Sequence, residues 1–320
     1  MSTLKINWSD TDGGAFQKVV NNMKAVMGND EKSPIVATCS ARPTSMRGYS
    51  TKKRVWWGAV NYNVMKEGRA EFLTLPDLLV GISEFCAKTF RFYGHKAFGC
   101  HLGIDPKIYY PKWEDRGGWV RFLTTSTDTT YGEAFMRKAW NKAVDKMDRV
   151  DLIIKDHSSS GLRGVDALPF KMPKSKISQP TGWALTEEQM THFYNQGDVL
   201  IYMVPSLGSS LTMMESMACG VPPICPRYSA FPEFVDEDTG FLIDVKEKEA
   251  PIKGKYRKPP MWGEPDLDQV VKTILYCYEN RKEVWEKGKN AAQKMRDKYT
   301  WAKVAENFSA IVEENLDKAC

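Results

Sequence analysis

Short aliphatic and β-branched runs alternate along the chain with stretches whose apolar residues recur at helical spacing. This alternation is typical of parallel βα units, in which helices cover both faces of a sheet. In the first half it predicts strands at 4–8, 34–40 and 78–83, a helix over 15–27, and a second helix that runs through Phe92. The pattern therefore predicts a compact α/β unit at the start of the chain.

The segment 104–118 interrupts this pattern with two prolines, several charges and a closing glycine pair, so we place the domain linker there. A second series follows: strands at VRFLTT, DLIIK, DVLIYMV, VPPIC and FLIDV, and helices over 133–147, from Thr186, and over 211–219, before two C-terminal helices. Thr186 and Gln189 have the spacing of a capping box.

We therefore predict an α/β protein of two doubly wound, Rossmann-like domains that face a cleft. The first domain covers residues 1–108 and the second covers residues 109–298. A terminal helix over 299–320 is expected to pack back towards the first domain.

Composition narrows the class of protein. The 320 residues are 42% hydrophobic, enough for a packed core, and the net charge of +5 is too small to name a partner. The seven cysteines show no paired C-x-x-C spacing, which favours a reducing compartment. The first ten residues lack the apolar core of a signal peptide, and no apolar run is long enough to cross a bilayer. We expect a cytoplasmic protein.

The most informative stretch covers residues 198–245. A buried strand ends at Pro205, a turn rich in serine and glycine opens a helix, and Glu215 lies about one turn inside that helix. Free amides at such a helix start suit an anionic phosphate, because the aligned peptide dipoles leave partial positive charge there. A carboxylate on the same helix can accept both hydroxyls of a ribose. The local chemistry indicates a nucleotide diphosphate.

At these residues the sequence resembles the family 4 glycosyltransferases of the GT-B fold. Their donor domain carries a pattern close to PS-x-E-G-F-G-L-x-x-x-E-A-M-A-C-G-x-P, followed by P-E and T-G. The matching residues are Pro205, Ser206, Gly208, Leu211, Glu215, Met217, Ala218, Cys219, Gly220, Pro222, Pro232, Glu233, Thr239 and Gly240. Further similarity covers residues 77–111, the terminal helix at 299–308, and an opening strand with a Gly-Gly loop.

The resemblance implies a retaining glycosyltransferase that moves a sugar from a nucleotide-diphosphate donor, such as a UDP-sugar, to an acceptor hydroxyl. Glu215 would bind the donor ribose, and the amides near the helix start would meet the diphosphate and the sugar. The expected donor-binding residues are Gly13, Gly14, Gly208, Ser209, Ser210, Leu211, Thr212 and Glu215. The glycine pair would allow a close approach of the backbone to the donor. Residues 15–71 are fewer than the family usually has, as in compact viral transferases.

Three residues are candidates for catalysis. Asp10 and Asp12 flank the glycine pair and are either acceptor contacts and a general base, or simply turn residues. Their D-x-D spacing also occurs in metal-dependent transferases, but in a different fold, so we predict no metal and no other cofactor. His157 follows the strand DLIIK, and ligands of open α/β sheets bind beyond the carboxyl ends of strands.

The sequence departs from the family at three positions. The first glutamate of the family pattern falls on Leu207, its phosphate-binding arginine on Ser126 and its lysine on Tyr131. Loss of one cation on a diphosphate costs about 1.5–3 kcal/mol unless another replaces it. The candidate replacements are Lys155, Arg163, Lys171 and Arg227, and we include Ser126, Lys155 and Arg163 among the donor-binding residues. The departures also leave open a non-catalytic protein that binds sugar nucleotides.

A basic block suggests the acceptor. Residues 32–66 contain seven Lys or Arg and no Asp or Glu, with aromatic residues interleaved. Cations beside stacking aromatics are typical of nucleic-acid binding, and we predict acceptor contacts from Arg42, Arg47, Lys52, Lys53, Arg54, Trp56 and Trp57. A second basic loop over 246–262 should emerge near the cleft.

The acceptor that these residues favour is a hydroxymethylated base in DNA, flipped out of the stack. The alternatives are a lipid or glycan acceptor at a membrane surface, and a solvated basic face with both tryptophans in the core. No obligate protein partner is indicated.

Overall fold

The computed structural model describes residues 4–11, 14–42, 46–114, 117–125, 130–155 and 185–316. Their strands form two parallel five-stranded sheets, each the centre of one α/β domain. The predicted architecture of two parallel-sheet domains is thereby confirmed. The structure also contains the capping box predicted at Thr186. The Thr186 hydroxyl accepts from the Gln189 amide, and the Gln189 side-chain oxygen accepts from the Thr186 amide.

The first sheet has the strand order β1-β2-β3-β4-β5. Its strands are β1 (Asn7–Trp8), β2 (Ile35–Ser40), β3 (Lys53–Gly58), β4 (Leu78–Gly81) and β5 (Ala97–Gly99). The helices of this half are α1 (Gly14–Met27), α2 (Glu67–Ala70) and α3 (Glu84–Phe92). The hydrophobic pattern did not predict β3 or β5, because β3 begins with two cations and β5 is only three residues long.

The two indoles of β3 point to opposite faces of the first sheet. Trp56 packs against Phe90 of α3, and its indole N–H donates to the Ser40 hydroxyl. Trp57 packs on the other face and donates to the Cys100 carbonyl. Both side chains are 0% exposed, so neither can stack on a base. This corrects the expectation that they contact the acceptor: they are core residues.

The second sheet has the strand order β10-β9-β8-β6-β7. Its strands are β6 (Val120–Thr125), β7 (Val150–Lys155), β8 (Val199–Ile201), β9 (Pro223–Pro226) and β10 (Phe241–Ile243). Its helices include α4 (Thr130–Ala143), α5 (Glu187–Asn195), α6 (Leu211–Ala218) and α7 (Phe231–Phe234). The chain goes from β6 to one side for β7 and to the other for β8. This reversal is a topological switch point, where ligands of such sheets bind beyond the carboxyl ends of the strands.

A small antiparallel hairpin ties the second domain to the first. It consists of β11 (Val245–Glu249) and β12 (Met261–Pro265). The amide of Glu67 donates to the Lys255 carbonyl at 3.0 Å, and the Arg257 guanidinium lies over the Tyr93 ring. The basic loop predicted to emerge near the cleft is therefore docked on the first domain.

The chain ends with α8 (Leu267–Glu279), α9 (Arg281–Lys298) and α10 (Trp301–Asn315). Helix α10 lies against the first sheet, where the Phe308 ring is centred 5.2 Å from Trp8 and 5.1 Å from Trp57. Over the described ranges, none of the helices combines the length and the apolar character that a bilayer span requires.

Candidate functional site

The loop that follows β3 and the turn that follows β8 meet where the two domains face each other. The Ser206 hydroxyl donates to the Asn61 carbonyl, and the Gly208 amide lies 3.5 Å from the Asn61 side-chain oxygen. A Cβ at position 208 would collide with the Val60 carbonyl oxygen and the Cys86 sulphur, so only glycine fits this approach. The Gly208 amide, expected to meet a phosphate, is covered here by the first domain.

Beyond this turn, the start of α6 keeps hydrogen-bonding groups free. The Ser210 hydroxyl caps the helix by accepting from the Met213 amide at 3.2 Å. The amides of Leu211 and Thr212 have no acceptor among the residues that the structure describes. The Ser209 hydroxyl is buried and has no hydrogen-bond partner within the described ranges. This helix start can therefore still bind an anion.

Glu215 lies one turn inside α6 and is 6% exposed. The Tyr194 hydroxyl of α5 donates to its Oε2 at 3.0 Å, and the Lys18 ammonium of α1 donates to its Oε1 at 2.8 Å. Lys18 also contacts the Tyr109 hydroxyl at 2.9 Å and the Glu187 carboxylate at 2.8 Å. The predicted ribose-binding carboxylate is thus paired with a cation of the other domain.

The pKa values of this cluster reflect burial and mutual charge. Burial disfavours the ammonium form of Lys18, but Glu215 and its hydrogen-bonding partners outweigh it and raise the pKa of Lys18 above the ordinary value. Burial and the Glu215 charge raise the pKa of Tyr194. At neutral pH Lys18 is therefore charged, and Tyr194 is a neutral donor.

Lys155, the last residue of β7, is a second cation close to this cluster. It is 7% exposed, and its ammonium forms no hydrogen bond or ion pair with any residue of the described ranges. Burial lowers its pKa, an effect that Glu215 only partly offsets and Lys18 reinforces. A buried ammonium without a bound anion favours an anionic ligand.

Other buried hydroxyls at the facing edges also lack a partner. Thr11 follows β1, Thr125 ends β6 and Ser209 follows β8, and none of their side-chain oxygens has a hydrogen bond in the described structure. Because carboxyl ends of parallel strands meet at one edge, these groups line the facing edges of the two sheets. With the free amides and Lys155, they suit a ligand that carries both hydroxyl and phosphate groups.

The carboxylate of Asp10, a predicted catalytic residue, is held by two side chains of the following helix α1. Its carboxylate accepts from Lys24 at 2.7 Å and from Gln17 at 2.8 Å. The hydrogen bond from Lys24, followed by that from Gln17, holds the pKa of Asp10 below its usual range, which weakens it as a base. These contacts favour the turn interpretation of Asp10.

Several predicted residues fall outside the described ranges: Asp12, Gly13, Ser126, His157, Arg163 and Lys171. Gly14 opens α1 with a φ of +67°, a conformation that favours glycine, and has open space at its Cβ position.

The basic block is divided between the two ends of the first sheet. Arg42 and Arg47 follow β2 on the side of the cleft, where Arg47 lies over the Phe72 ring. Lys52, Lys53 and Arg54 stand at the start of β3, roughly 16 Å from its carboxyl end at about 3.3 Å per residue. Arg54 is held by Asp77 and Lys52 by the Glu31 carbonyl. These three residues thus lie at the end of the sheet away from the cleft, and their contact with the acceptor stays a prediction.

Arg227 was a candidate for the missing phosphate-binding cation. It is held by two exposed carboxylates, Glu237 at 2.5 Å and Asp244 at 3.0 Å, and is thus already neutralised. Lys155 therefore fits that role better among the described candidates.

Sequence reasoning missed Lys18, Tyr109 and Tyr194. Lys18 lies one turn beyond Gly14 on α1 and shares its face with Asn21 and Asn22, so no local pattern distinguishes it from a solvent-facing lysine. No three His, Cys, Asp or Glu side chains within the described part of the chain converge to hold a metal ion. The expected absence of a metal stays a prediction.

Comparison with known proteins identifies the fold. Residues 169–253 match the family model described as "Glycosyl transferases group 1". No curated protein sequence matches the chain.

Solved structures are similar over most of the chain. Sucrose-phosphate synthase from Thermosynechococcus elongatus superposes with a TM-score of 0.64 at 14% identity, covering 94% of this chain and 77% of that one. A glycosyltransferase from Rickettsia africae gives 0.62 at 14%, with 96% and 83% covered. HepE from Anabaena, solved with UDP-glucose, gives 0.63 at 10%, with 92% and 82% covered. The chain therefore has the two-domain fold of GT-B glycosyltransferases, and its similarity to the group 1 family model is confined to residues 169–253.

Proposed function

We propose that this protein is a glycosyltransferase that binds a nucleoside-diphosphate sugar between its domains and transfers the sugar to an acceptor hydroxyl. The main support is the position of Glu215. It is a buried carboxylate one turn inside α6, close to Lys155 and beyond a helix start, and neither that lysine's ammonium nor the first two helix amides have a partner among the described residues. The similarity to HepE, solved with UDP-glucose, makes a UDP-sugar the first donor to test.

Each group has a defined role in this proposal. Glu215 accepts the ribose hydroxyls, while the Leu211 and Thr212 amides, the Ser209 hydroxyl and Lys155 bind the diphosphate. Such groups act by stabilising the charge that develops on the departing diphosphate. We propose retention of the anomeric configuration, as the sequence resemblance implies. Further donor contacts are proposed from Gly13, Gly14, Ser126 and Arg163, and catalytic roles from Asp12 and His157.

The acceptor proposal rests on fewer residues than the sequence indicated. Arg42 and Arg47 are the predicted acceptor contacts that follow a strand on the side of the cleft. Two cations there favour an anionic acceptor, of which DNA with a hydroxymethylated base is one. Measuring the affinity for duplex DNA at several salt concentrations tests this. A slope near zero in the plot of log affinity against log salt concentration would exclude DNA as the acceptor.

Release of a nucleoside diphosphate from a panel of donor sugars, in the presence of acceptor pools, tests the enzyme. Glu215→Ala should lower kcat/KM by about 100-fold, since it removes a charge-assisted contact to the donor. Glu249→Gln is the matched control, because Glu249 is an exposed carboxylate of the β11–β12 hairpin. Donor binding by the unmodified protein without any release would instead favour the non-catalytic alternative.

A further inference from the structure

The carboxylate assigned to the ribose is not free in this structure. Lys18 occupies Glu215 Oε1 at 2.8 Å, and Tyr194 occupies Oε2 at 3.0 Å. Lys18 comes from α1 of the first domain, 197 residues away along the chain. A ribose whose hydroxyls bind both carboxylate oxygens would therefore compete with the Lys18 ammonium for Oε1.

The displaced ammonium keeps weaker partners. Its three N–H groups are matched by three acceptors, Glu215, Glu187 and the Tyr109 hydroxyl. When Glu215 is taken away, one carboxylate and one neutral hydroxyl remain. The Glu187 side chain is 44% exposed, so water screens that pair more than the buried pair with Glu215.

The net charge of the site depends on the Lys18 ammonium. Without Lys18, the charged groups of this cluster are Glu215, Glu187 and Lys155, with a net charge of −1. A diphosphate would be repelled by such a site. With Lys18 the cluster is neutral, and two lysines are available to the incoming phosphates.

We propose that Lys18 is a donor-binding residue. In the free protein its ammonium pairs with Glu215, and it moves to the donor diphosphate when the ribose hydroxyls bind that carboxylate. This inference rests on the proposed function, because it needs a nucleotide at Glu215. Lys18 then supplies, from the first domain, a cation that the second domain lacks at Ser126 and Tyr131.

The exchange makes the site selective for phosphorylated nucleotides. A nucleoside breaks the Lys18–Glu215 pair and offers no anion in return, whereas a nucleoside diphosphate replaces the pair with a new one. Lys18 should therefore weaken nucleoside binding and strengthen diphosphate binding.

Isothermal titration of the full chain tests this with UDP, ADP, GDP and CDP, followed by the nucleoside of whichever diphosphate binds most tightly. Lys18→Met should weaken diphosphate binding about tenfold to hundredfold and tighten nucleoside binding. Lys18→Arg keeps the cation and should retain most of the diphosphate affinity. Lys303→Met, which removes an exposed lysine of α10, is the matched control.

The outcomes separate the two proposals. If Lys18→Met leaves diphosphate affinity unchanged or raises it, Lys18 only blocks Glu215, and this inference alone fails. If the unmodified protein binds none of the four diphosphates, the proposed function fails and the inference with it. Should Lys18→Met not fold, Lys18→Gln takes its place, because its amide can still donate to Glu215 without carrying a charge.

Discussion

At the scale of single residues, the site is governed by which buried charges have partners. Glu215 is neutralised by Lys18 across the two domains, whereas Lys155, a buried residue, pairs with no carboxylate in the described part of the chain. An unpaired buried ammonium is costly, and in a binding site a ligand can offset that cost. Lys155 thus slightly destabilises the free protein and stabilises its complex with an anionic ligand.

The depressed pKa of Lys155 predicts that nucleotide binding is coupled to proton uptake. Burial lowers this pKa below its ordinary value of 10.5, and a neighbouring diphosphate would favour the ammonium form and raise it again. Nucleotide binding should therefore take up protons at alkaline pH, where part of Lys155 is deprotonated in the free protein, and take up fewer as the pH falls towards neutral.

Titration calorimetry in buffers of different ionisation enthalpy measures this uptake. Lys155→Met should remove the alkaline excess and also weaken diphosphate binding. Equal proton uptake by the variant and the unmodified protein at alkaline pH would contradict the assignment of Lys155 to the phosphates.

At the scale of elements, helix termini connect the two domains. The Glu233 carboxylate, at the end of the second sheet's α7, accepts from the amides of Glu84 and Phe85 at 2.8 and 2.7 Å. Ser83 satisfies the Cys86 amide of the same helix. A carboxylate at a helix N-terminus is stabilised by the amides and by the helix dipole. The first turn of α3 is therefore completed by the other domain.

This cap predicts a measurable loss of stability. Glu233→Gln keeps one acceptor oxygen but loses the charge, so the free energy of unfolding should fall by about 1–2 kcal/mol. Glu237→Gln should change it by less than about 0.5 kcal/mol, because Glu237 forms an exposed pair with Arg227. Urea denaturation of both variants compares them, and equal effects would show that the cap contributes nothing across the domains.

At the scale of the whole molecule, the chain returns to its first domain after building the second. Helix α10 covers the sheet face that carries Trp8 and Trp57, and Phe308 packs against both indoles. The hairpin of β11 and β12, together with the loop between its strands, adds a second link between the two domains. Two domains joined in this way should unfold together rather than one after the other.

Phe308→Ala tests that coupling. Phe308 is fully buried, so its truncation should cost about 3–5 kcal/mol. Calorimetry should show one transition at a lower temperature, because α10 continues from α9 of the second domain and packs on the first sheet through Phe308. Val26→Ala, at an exposed position of α1, should leave the transition nearly unchanged. Two separate transitions in the unmodified protein would overturn the idea of a single unit.

The accuracy of the sequence-based predictions followed the range of the interactions that decide each feature. The helix predicted over 15–27 is α1 at Gly14–Met27, and that over 211–219 is α6 at Leu211–Ala218. Strand β3 was missed because its first residues are Lys53 and Arg54 and its tryptophans were interpreted as stacking residues. Burial on both faces, which identifies a central strand, depends on helices from distant parts of the chain.

The sequence by itself determined many of the helices and the longer apolar strands, the two-domain α/β class and the motif around Glu215, because each depends on the spacing of nearby residues. Tertiary structure alone decided that Lys18 neutralises Glu215, that Glu233 caps α3 and that Trp56 and Trp57 are core residues. These contacts join residues far apart in the chain, and no local pattern encodes which side chains domain docking brings within hydrogen-bond distance.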